Sequence, residues 1–211
     1  MAGLQCEKYL WQEVHARQRR EPLSEALRRR FAWGHQVGEA ARHWRGDGVL
    51  IGLDPRCPEQ AAEDTRKALN AGATRIFEAA FLTKSCFAAA DIVEAVPGGR
   101  WRMLEVKASG GVRLPYITDL SFQAWVVKGA GLEVKEAGVV HLSDGSGPGA
   151  PITFSTIDVS GKVFSRTAWI DSAVRRLKDV AAGPEPHVDM GDHCSRPYKC
   201  PYSAYCHALN G

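Results

Sequence analysis

Several features are absent from this 211-residue sequence, and each absence narrows the class of protein. No apolar run approaches the roughly 18 residues that a membrane-spanning helix needs, which excludes a protein built on such helices. Residues 1–8 lack the apolar core of a signal peptide, so we expect a cytoplasmic location and no membrane partner. Internal repeats and low-complexity tracts are absent as well.

What the chain does contain is an ordinary globular composition, with 45% hydrophobic and 24% charged residues. The length predicts a single domain, over residues 1–211, with a hydrophobic core. A net charge of +3 is too small to indicate a nucleic-acid partner by itself. Within an early arginine-rich segment, however, Arg28, Arg29 and Arg30 either neutralise phosphates or form a solvated helical face.

The pattern of residues 91–109 predicts a β-hairpin with chemically interesting side chains. Because strand residues alternate between faces, Glu105 and Lys107 share one face. A three-residue loop over 97–99 would place Asp91 opposite Glu105, whereas a two-residue loop would send Asp91 to the other face. We favour the three-residue loop, which brings the two carboxylates and the lysine together.

Two close carboxylates repel each other unless a cation lies between them. Mg²⁺ and Mn²⁺ take hard oxygen ligands and keep several waters, so Asp91, Glu105 and a substrate phosphate make a plausible site. Lys107 then supplies a charge and a hydrogen bond for the attacking water or the transition state. The alternative is a surface hairpin with Glu105 and Lys107 on its solvated face.

The six cysteines form a second constellation, and in a cytoplasmic protein they favour metal binding over disulfides. Cys194, Cys200 and Cys206 are spaced C-x5-C-x5-C near the carboxyl end. Three thiolates need a fourth ligand to hold tetrahedral zinc or an iron–sulfur cluster, and the spacing fits an ordinary zinc ribbon poorly. Cys57 and Cys86 stand alone, and Cys86 reads as a buried strand residue.

The order of the predicted elements is helix, helix, three strands, helix, two strands, helix, which favours an α/β sheet flanked by helices. Gly34 and Gly38 lie inside the first predicted helix and suit it only if another backbone packs close to them. Asp119 or Thr118 is predicted to cap the helix that follows the hairpin. The predicted helices span 23–44, 58–70, 120–128 and 162–182, and the strands span 74–82, 85–96, 100–107, 132–142 and 152–159. Regular structure is expected to end at Gly183.

The spacing D-x13-E-x-K, formed by Asp91, Glu105 and Lys107, resembles the RecB-like PD-(D/E)XK nucleases, and the element order matches the core of that fold. Cys6 near one terminus and three cysteines near the other resemble the iron–sulfur members of this group. These include AddB-type nucleases, the eukaryotic Okazaki-processing nuclease–helicase and the CRISPR-associated adaptation nuclease. The resemblance implies a restriction-endonuclease-like core in which a [4Fe-4S] cluster on Cys6, Cys194, Cys200 and Cys206 joins residues 1–22 to residues 183–211.

The resemblance also implies roles for individual residues. Asp91, Glu105 and the Val106 carbonyl would bind the metal, Lys107 would position the attacking water, and Gln123 would assist. The G-x-x-x-H motif of the group is expected at Gly34, but the histidine position is occupied by Gly38. Either Glu39 or His35 replaces that ligand, or it is lost, and we favour Glu39. Glu78 could approach the same metal.

The implied activity is Mg²⁺- or Mn²⁺-dependent hydrolysis of phosphodiester bonds, with single-stranded DNA as substrate and Arg28, Arg29 and Arg30 as nucleic-acid contacts. An exonuclease with protein partners in CRISPR adaptation or DNA repair is the family expectation. The alternative is a nucleic-acid-binding iron–sulfur module with a degenerate nuclease site. The missing histidine and a valine at position 127, where the group's Q-x-x-x-Y motif has tyrosine, favour that alternative.

Overall fold

A computed structural model describes residues 1–210, apart from the side chain of Asn210. The chain divides into two compact units. The terminal unit comprises Met1–Arg28 and the residues from Ala168 onward, and the central unit comprises Arg29–Thr167. Both predicted cluster-binding segments, 1–22 and 183–211, fall in the terminal unit, and the predicted hairpin falls in the central unit.

The central unit is built on one mixed six-stranded sheet whose strands follow their order in the chain. Its strands are β1 Val49–Leu50, β2 Arg75–Thr83, β3 Cys86–Val96, β4 Arg100–Lys107, β5 Val134–Leu142 and β6 Phe154–Asp158. Strands β2, β3 and β4 form an antiparallel meander, β4 and β5 pair in parallel, and β6 pairs antiparallel with β5. Together with its helices this sheet gives the mixed α/β fold that the sequence predicts.

The hairpin of β3 and β4 has the favoured register. Val96 pairs with Arg100, and the pairing continues regularly to Ile92 and Leu104. The loop therefore has three residues, in which Gly98 and Gly99 adopt φ angles of 84° and 69° that glycine tolerates best. The next step of this register sets Asp91 beside Glu105, as predicted.

Strands β2 and β3 change face together at one point. Phe77 pairs with Ile92 and Ala79 pairs with Ala90, so the register sets Glu78 opposite Asp91. Ile76 and Ala79 lie three residues apart, yet both belong to the larger core, which strict alternation would forbid. Glu78 itself has a φ of 55°, a conformation that side-chain-bearing residues rarely adopt. The two acids therefore lie where the regular pleat is interrupted.

Four helices accompany the sheet: α3 Glu25–Arg45, which begins in the terminal unit, α4 Pro58–Asn70, α5 Leu114–Gly129 and α6 Ser160–Phe164. Helix α5 is buried along most of its length and contributes Leu120, Val126 and Val127 to the core. It begins six residues before the predicted start. Pro115 lies in its first turn, where a helix tolerates proline well. Asp119 and Thr118 therefore lie inside the helix, and their prediction as caps is wrong.

The terminal unit contains α1 Ala2–Gln5, α2 Glu7–His15, α7 Thr167–Ala182 and α8 Ser203–Asn210. The predicted helix over 162–182 is thus two helices, α6 and α7, and regular structure resumes in α8 after the expected end at Gly183. The Trp11 indole N–H donates to the Gly183 carbonyl at 2.9 Å, and the buried Gln12 amide donates to Glu185 at 3.0 Å. These bonds tie α2 to the carboxyl-terminal segment. Among residues 1–210, no helix is both long and apolar enough to cross a membrane.

Candidate active site

The two hairpin acids, of which Glu105 is buried and Asp91 is half-buried, are held by specific hydrogen bonds. Glu105 is 5% exposed, and its Oε1 lies 2.5 Å from the Lys107 ammonium. The Gln123 amide on α5 donates to the other oxygen of Glu105 at 2.7 Å. Asp91 accepts the backbone N–H of Val106 at 2.6 Å. The structure thus brings together the predicted residues Asp91, Glu105, Lys107 and Gln123.

Burial and mutual repulsion raise the pKa values of both acids. Burial raises the pKa of Asp91 to about 6, against the lowering effect of the Val106 N–H. Burial, reinforced by the Asp91 charge, raises the pKa of Glu105 to about 8. Burial alone would lower the pKa of Lys107, but the Glu105 and Asp119 carboxylates outweigh it and raise the pKa. Two acids in this setting ionise together only if further positive charge approaches them.

Helix α5 supplies contacts to Lys107 that sequence reasoning missed. The Asp119 carboxylate lies 3.4 Å from the ammonium, and the Tyr116 ring centroid lies 5.1 Å from it. The Tyr116 hydroxyl in turn pairs with Ser109 at 3.0 Å. Pro115, in the first turn of α5, is the sequence signal that could have placed Tyr116 and Asp119 inside this helix.

Gln123 also carries an unused hydrogen-bonding group. Its side chain is 7% exposed, and its amide oxygen is buried without a partner among the described residues. Because the amide nitrogen donates to Glu105, the orientation of the amide is set by that bond. The free oxygen is therefore an acceptor beside Glu105 that a water or ligand hydrogen could use.

A cavity of about 350 Å³ opens against the point where β2 and β3 change face. The sheet contributes Glu78, Asp91, Ile92 and Val106, and α3 contributes Gly34, His35, Gly38, Glu39 and Arg42. Arg42 was not predicted, and its guanidinium lies 3.2 Å from Glu78. Burial raises the pKa of Glu78, although Arg42 opposes the rise. The predicted ligands Glu39 and His35 both line the cavity, so the choice between them stays open.

The close packing that would explain Gly34 and Gly38 inside a helix is not found. A Cβ atom added to either glycine would meet nothing within 4 Å. The glycines therefore face open space in the cavity wall. The predicted nucleic-acid contacts Arg28, Arg29 and Arg30 are exposed on the same helix, nearer its amino end.

Among residues 1–210, no three His, Cys, Asp or Glu side chains are arranged as ready ligands of a metal ion. Cations of the protein itself contact the acids instead, Lys107 at Glu105 and Arg42 at Glu78. The donor set still suits Mg²⁺ or Mn²⁺, because both ions take carboxylate oxygens. The predicted metal-binding roles of Asp91, Glu105, Val106, Glu39 and Glu78 stay predictions.

The terminal unit gathers four of the six cysteines around one small cavity, namely Cys6, Cys194, Cys200 and Cys206. Burial raises the pKa of Cys200 to about 11, and the three neighbouring cysteines add to the rise. Mutual repulsion of this kind is relieved when metal replaces the thiol protons. In a [4Fe-4S] cluster each cysteine binds a different iron, so the sulfurs lie farther apart than ligands of one ion. The four thiols line one cavity, and the [4Fe-4S] cluster on them stays a prediction.

The remaining two cysteines belong to other elements, in the central unit. Cys57 is exposed before α4, and Cys86 begins β3 with partial burial. Around the four clustered cysteines, the Gln5 amide donates at 2.7 Å to the carbonyls of both His193 and Tyr198. The loop carrying Cys194 is thereby hydrogen-bonded to α1.

No protein-family model matches the chain, and the search of curated proteins returned no match. Among solved structures, the chain is similar to that of SSO0001, with a TM-score of 0.37, 13% identity, and coverage of 85% of this chain and 81% of the other. It is also similar to an alkaline exonuclease (LHK-Exo) from Laribacter hongkongensis, with a TM-score of 0.28, 12% identity, and coverage of 83% and 92%. Similarities this weak do not bear on function.

Proposed function

We propose that this protein is a divalent-metal-dependent nuclease whose active site is the acidic end of the β3–β4 hairpin. One observation carries the proposal: the hairpin register sets Asp91 beside Glu105, Lys107 lies 2.5 Å from Glu105, and Asp91 lines a cavity of about 350 Å³. Buried carboxylates with raised pKa values beside a lysine are costly to maintain in a protein without chemistry for them. The site therefore supports hydrolysis better than a purely structural role.

In this mechanism Asp91 and Glu105 would hold Mg²⁺ or Mn²⁺. Glu78 and either Glu39 or His35 line the cavity that Asp91 also lines. The ion, when bound, supplies charge stabilisation at the phosphoryl group and acidifies a water. Lys107 donates a hydrogen bond to the attacking water or to the charge that develops on the phosphate. Gln123 orients Glu105 through its amide nitrogen and offers its free oxygen to that water. Asp119 and the Tyr116 ring hold Lys107 in position.

Single-stranded DNA is the proposed substrate, and the arginines of α3 are its proposed phosphate contacts. The cysteine group is the proposed site of a [4Fe-4S] cluster that stabilises the terminal unit. The gathering of four thiols around one cavity supports that assignment. An exonuclease activity used in CRISPR adaptation or DNA repair remains part of the proposal, resting on the resemblance of the motifs.

The direct test combines iron analysis with a cleavage assay. Protein purified without oxygen is expected to be brown, to contain iron, and to degrade a labelled single strand only when Mn²⁺ or Mg²⁺ is added. Glu105→Gln, which keeps the size of the side chain, should abolish degradation but retain binding of the strand. Binding without any metal-dependent cleavage in the wild type would instead establish the nucleic-acid-binding module.

A further inference from the structure

The wall of α3 that faces the acids contains groups that the proposed hydrolysis does not yet use. Gly34, Gly38 and Arg42 recur at intervals of four residues, so they lie on one face of the helix. All three line the cavity that Asp91 and Glu78 enter from the sheet. This wall thus shares a cavity with Glu78 and Asp91, and its residues need a physical explanation.

The two glycines are not explained by packing. Glycine inside a helix is less favourable than alanine by roughly 1 kcal/mol, which is usually offset by a close contact that only glycine permits. Here a Cβ at either position meets nothing within 4 Å. The space that the missing side chains leave is the cavity itself. The glycines therefore keep open a passage along α3.

Arg42 lies one helical turn beyond Gly38 on the same face and also lines the cavity. Its guanidinium is partly buried and lies 3.2 Å from Glu78. Glu78 holds an unfavourable backbone conformation, with φ at 55°, that turns this strand at the cavity. Strain of this kind is concentrated at functional sites, since a purely structural position would relax it. A planar cation held over the cavity beside the acids has the geometry to receive a phosphate by two parallel hydrogen bonds.

We infer that the α3 face of Gly34, Gly38 and Arg42 binds the sugar–phosphate backbone of the single strand next to the bond that is cleaved. Arg42 contacts a phosphate, and the glycines let the backbone pass against the helix. The inference rests on the proposed function and extends it to the position of the substrate. In the free protein Glu78 holds Arg42 in place, and the substrate phosphate replaces Glu78 as its partner.

The first experiment measures binding of a labelled oligo(dT) strand in Ca²⁺ over a series of salt concentrations. Each phosphate contact to a single strand contributes about 0.7 to the slope of log affinity against log salt. Arg42→Ala should weaken binding and reduce that slope by about 0.7, and Arg42→Lys should restore part of both. The matched control is Arg66→Ala, which removes another helical arginine paired with a carboxylate, Glu63 at 2.6 Å, outside this cavity. Its slope should stay at the wild-type value.

The second experiment separates the role of the glycines from folding. The double variant Gly34→Ala and Gly38→Ala should raise the melting temperature by several degrees, because alanine favours the helix and nothing clashes. The same variant should cleave and bind the strand at least about tenfold less well, since the methyl groups narrow the passage. Gly161→Ala, at a helical glycine with equally open surroundings, is the control and should leave cleavage unchanged.

The outcomes distinguish this inference from the proposed function. A wild-type protein that binds but never cleaves would refute the nuclease, while the salt slope of Arg42→Ala would still test the contact. An unchanged slope in Arg42→Ala, or a glycine variant that binds and cleaves like the wild type, would overturn the inference and leave the nuclease standing.

Discussion

The central and terminal units each gather chemically reactive side chains, but by different means. In the central unit Asp91 and Glu105 meet because backbone pairing across one three-residue turn fixes their register. In the terminal unit Cys6 meets Cys194, Cys200 and Cys206 across nearly the whole length of the chain. That meeting depends on side-chain bonds such as those of Gln5 and Trp11.

This difference predicts which site keeps its geometry when no metal is bound. A register fixed by a β-ladder persists as long as the sheet is folded, so the acids need no cation to stay together. The cysteines close a loop of almost the entire chain, and closing it costs much more entropy. A bound cluster would therefore stabilise the terminal unit, whereas a bound divalent ion would chiefly adjust the charge of the central one.

The largest effect is expected from Asp91→Asn. Asparagine keeps the acceptor for the Val106 N–H, so the hairpin should fold as before, but it removes the proposed metal-binding charge. Cleavage should fall by more than about a thousandfold, because several kcal/mol of charge stabilisation are lost. Single-turnover rates and Mn²⁺ titration by calorimetry check this. Full activity with undiminished Mn²⁺ affinity would remove Asp91 from the site.

Lys107→Ala is expected to have the next largest effect. Its ammonium acts on the transition state, so cleavage should fall by roughly a hundred- to a thousandfold while Mn²⁺ affinity is kept or increased. The increase is expected because Glu105 loses its only ammonium partner at 2.5 Å among the described residues. Comparing rate constants with Mn²⁺ dissociation constants separates the two effects. A variant that loses metal binding instead would make Lys107 a structural partner of Glu105.

Cys200→Ala should affect stability rather than chemistry. Cys200 is the most buried of the clustered cysteines at 6% exposure, and its loss should release iron. The melting temperature should fall by about 5–10 °C, as expected for the loss of a few kcal/mol in a chain of this size. Cys86→Ala is the control in the other unit and should keep both iron and stability. Iron retained in Cys200→Ala would exclude the four-cysteine assignment.

A smaller effect is expected from pH. Because burial raises the pKa of Glu105 from an ordinary value near 4.5 to about 8, the folded chain binds more protons than the unfolded chain between these values. The free energy of unfolding of the metal-free protein should therefore fall as pH rises from about 4.5 to about 8. Chemical denaturation across this range should show a shallower fall in Glu105→Gln and in wild type with Mn²⁺. Identical pH profiles in all three would contradict the coupling.

The smallest effect is expected from Arg30→Ala. Arg30 lies four residues before Gly34, on the face of α3 that lines the cavity, whereas Arg28 points elsewhere and donates to the Leu23 carbonyl at 3.1 Å. Removing Arg30 should weaken binding of a single strand by a few-fold, as for one peripheral phosphate contact. Arg28→Ala should weaken it less. Equal losses in fluorescence anisotropy titrations would mean that the arginines act only through their summed charge.

The local sequence was enough to predict the hairpin and the face that Glu105 and Lys107 share. Pro97-Gly98-Gly99 supplies the turn, alternation places Glu105 and Lys107 on one face, and the turn length alone sets Asp91 opposite Glu105. These are relations between neighbours in the chain or across one turn, so periodicity predicts them once the length of the turn is given. The mixed α/β class follows from the order of the elements for the same reason.

Only the tertiary structure decided which distant groups join that hairpin. Arg42 reaches Glu78, and Asp119 reaches Lys107, because α3 and α5 pack at particular angles and offsets that no periodicity encodes. Packing also decided the surroundings of Gly34 and Gly38. The open space beside them depends on what the rest of the unit leaves unfilled. Sequence patterns specify which face a side chain occupies, whereas the partner on that face is specified by the summed packing of many residues.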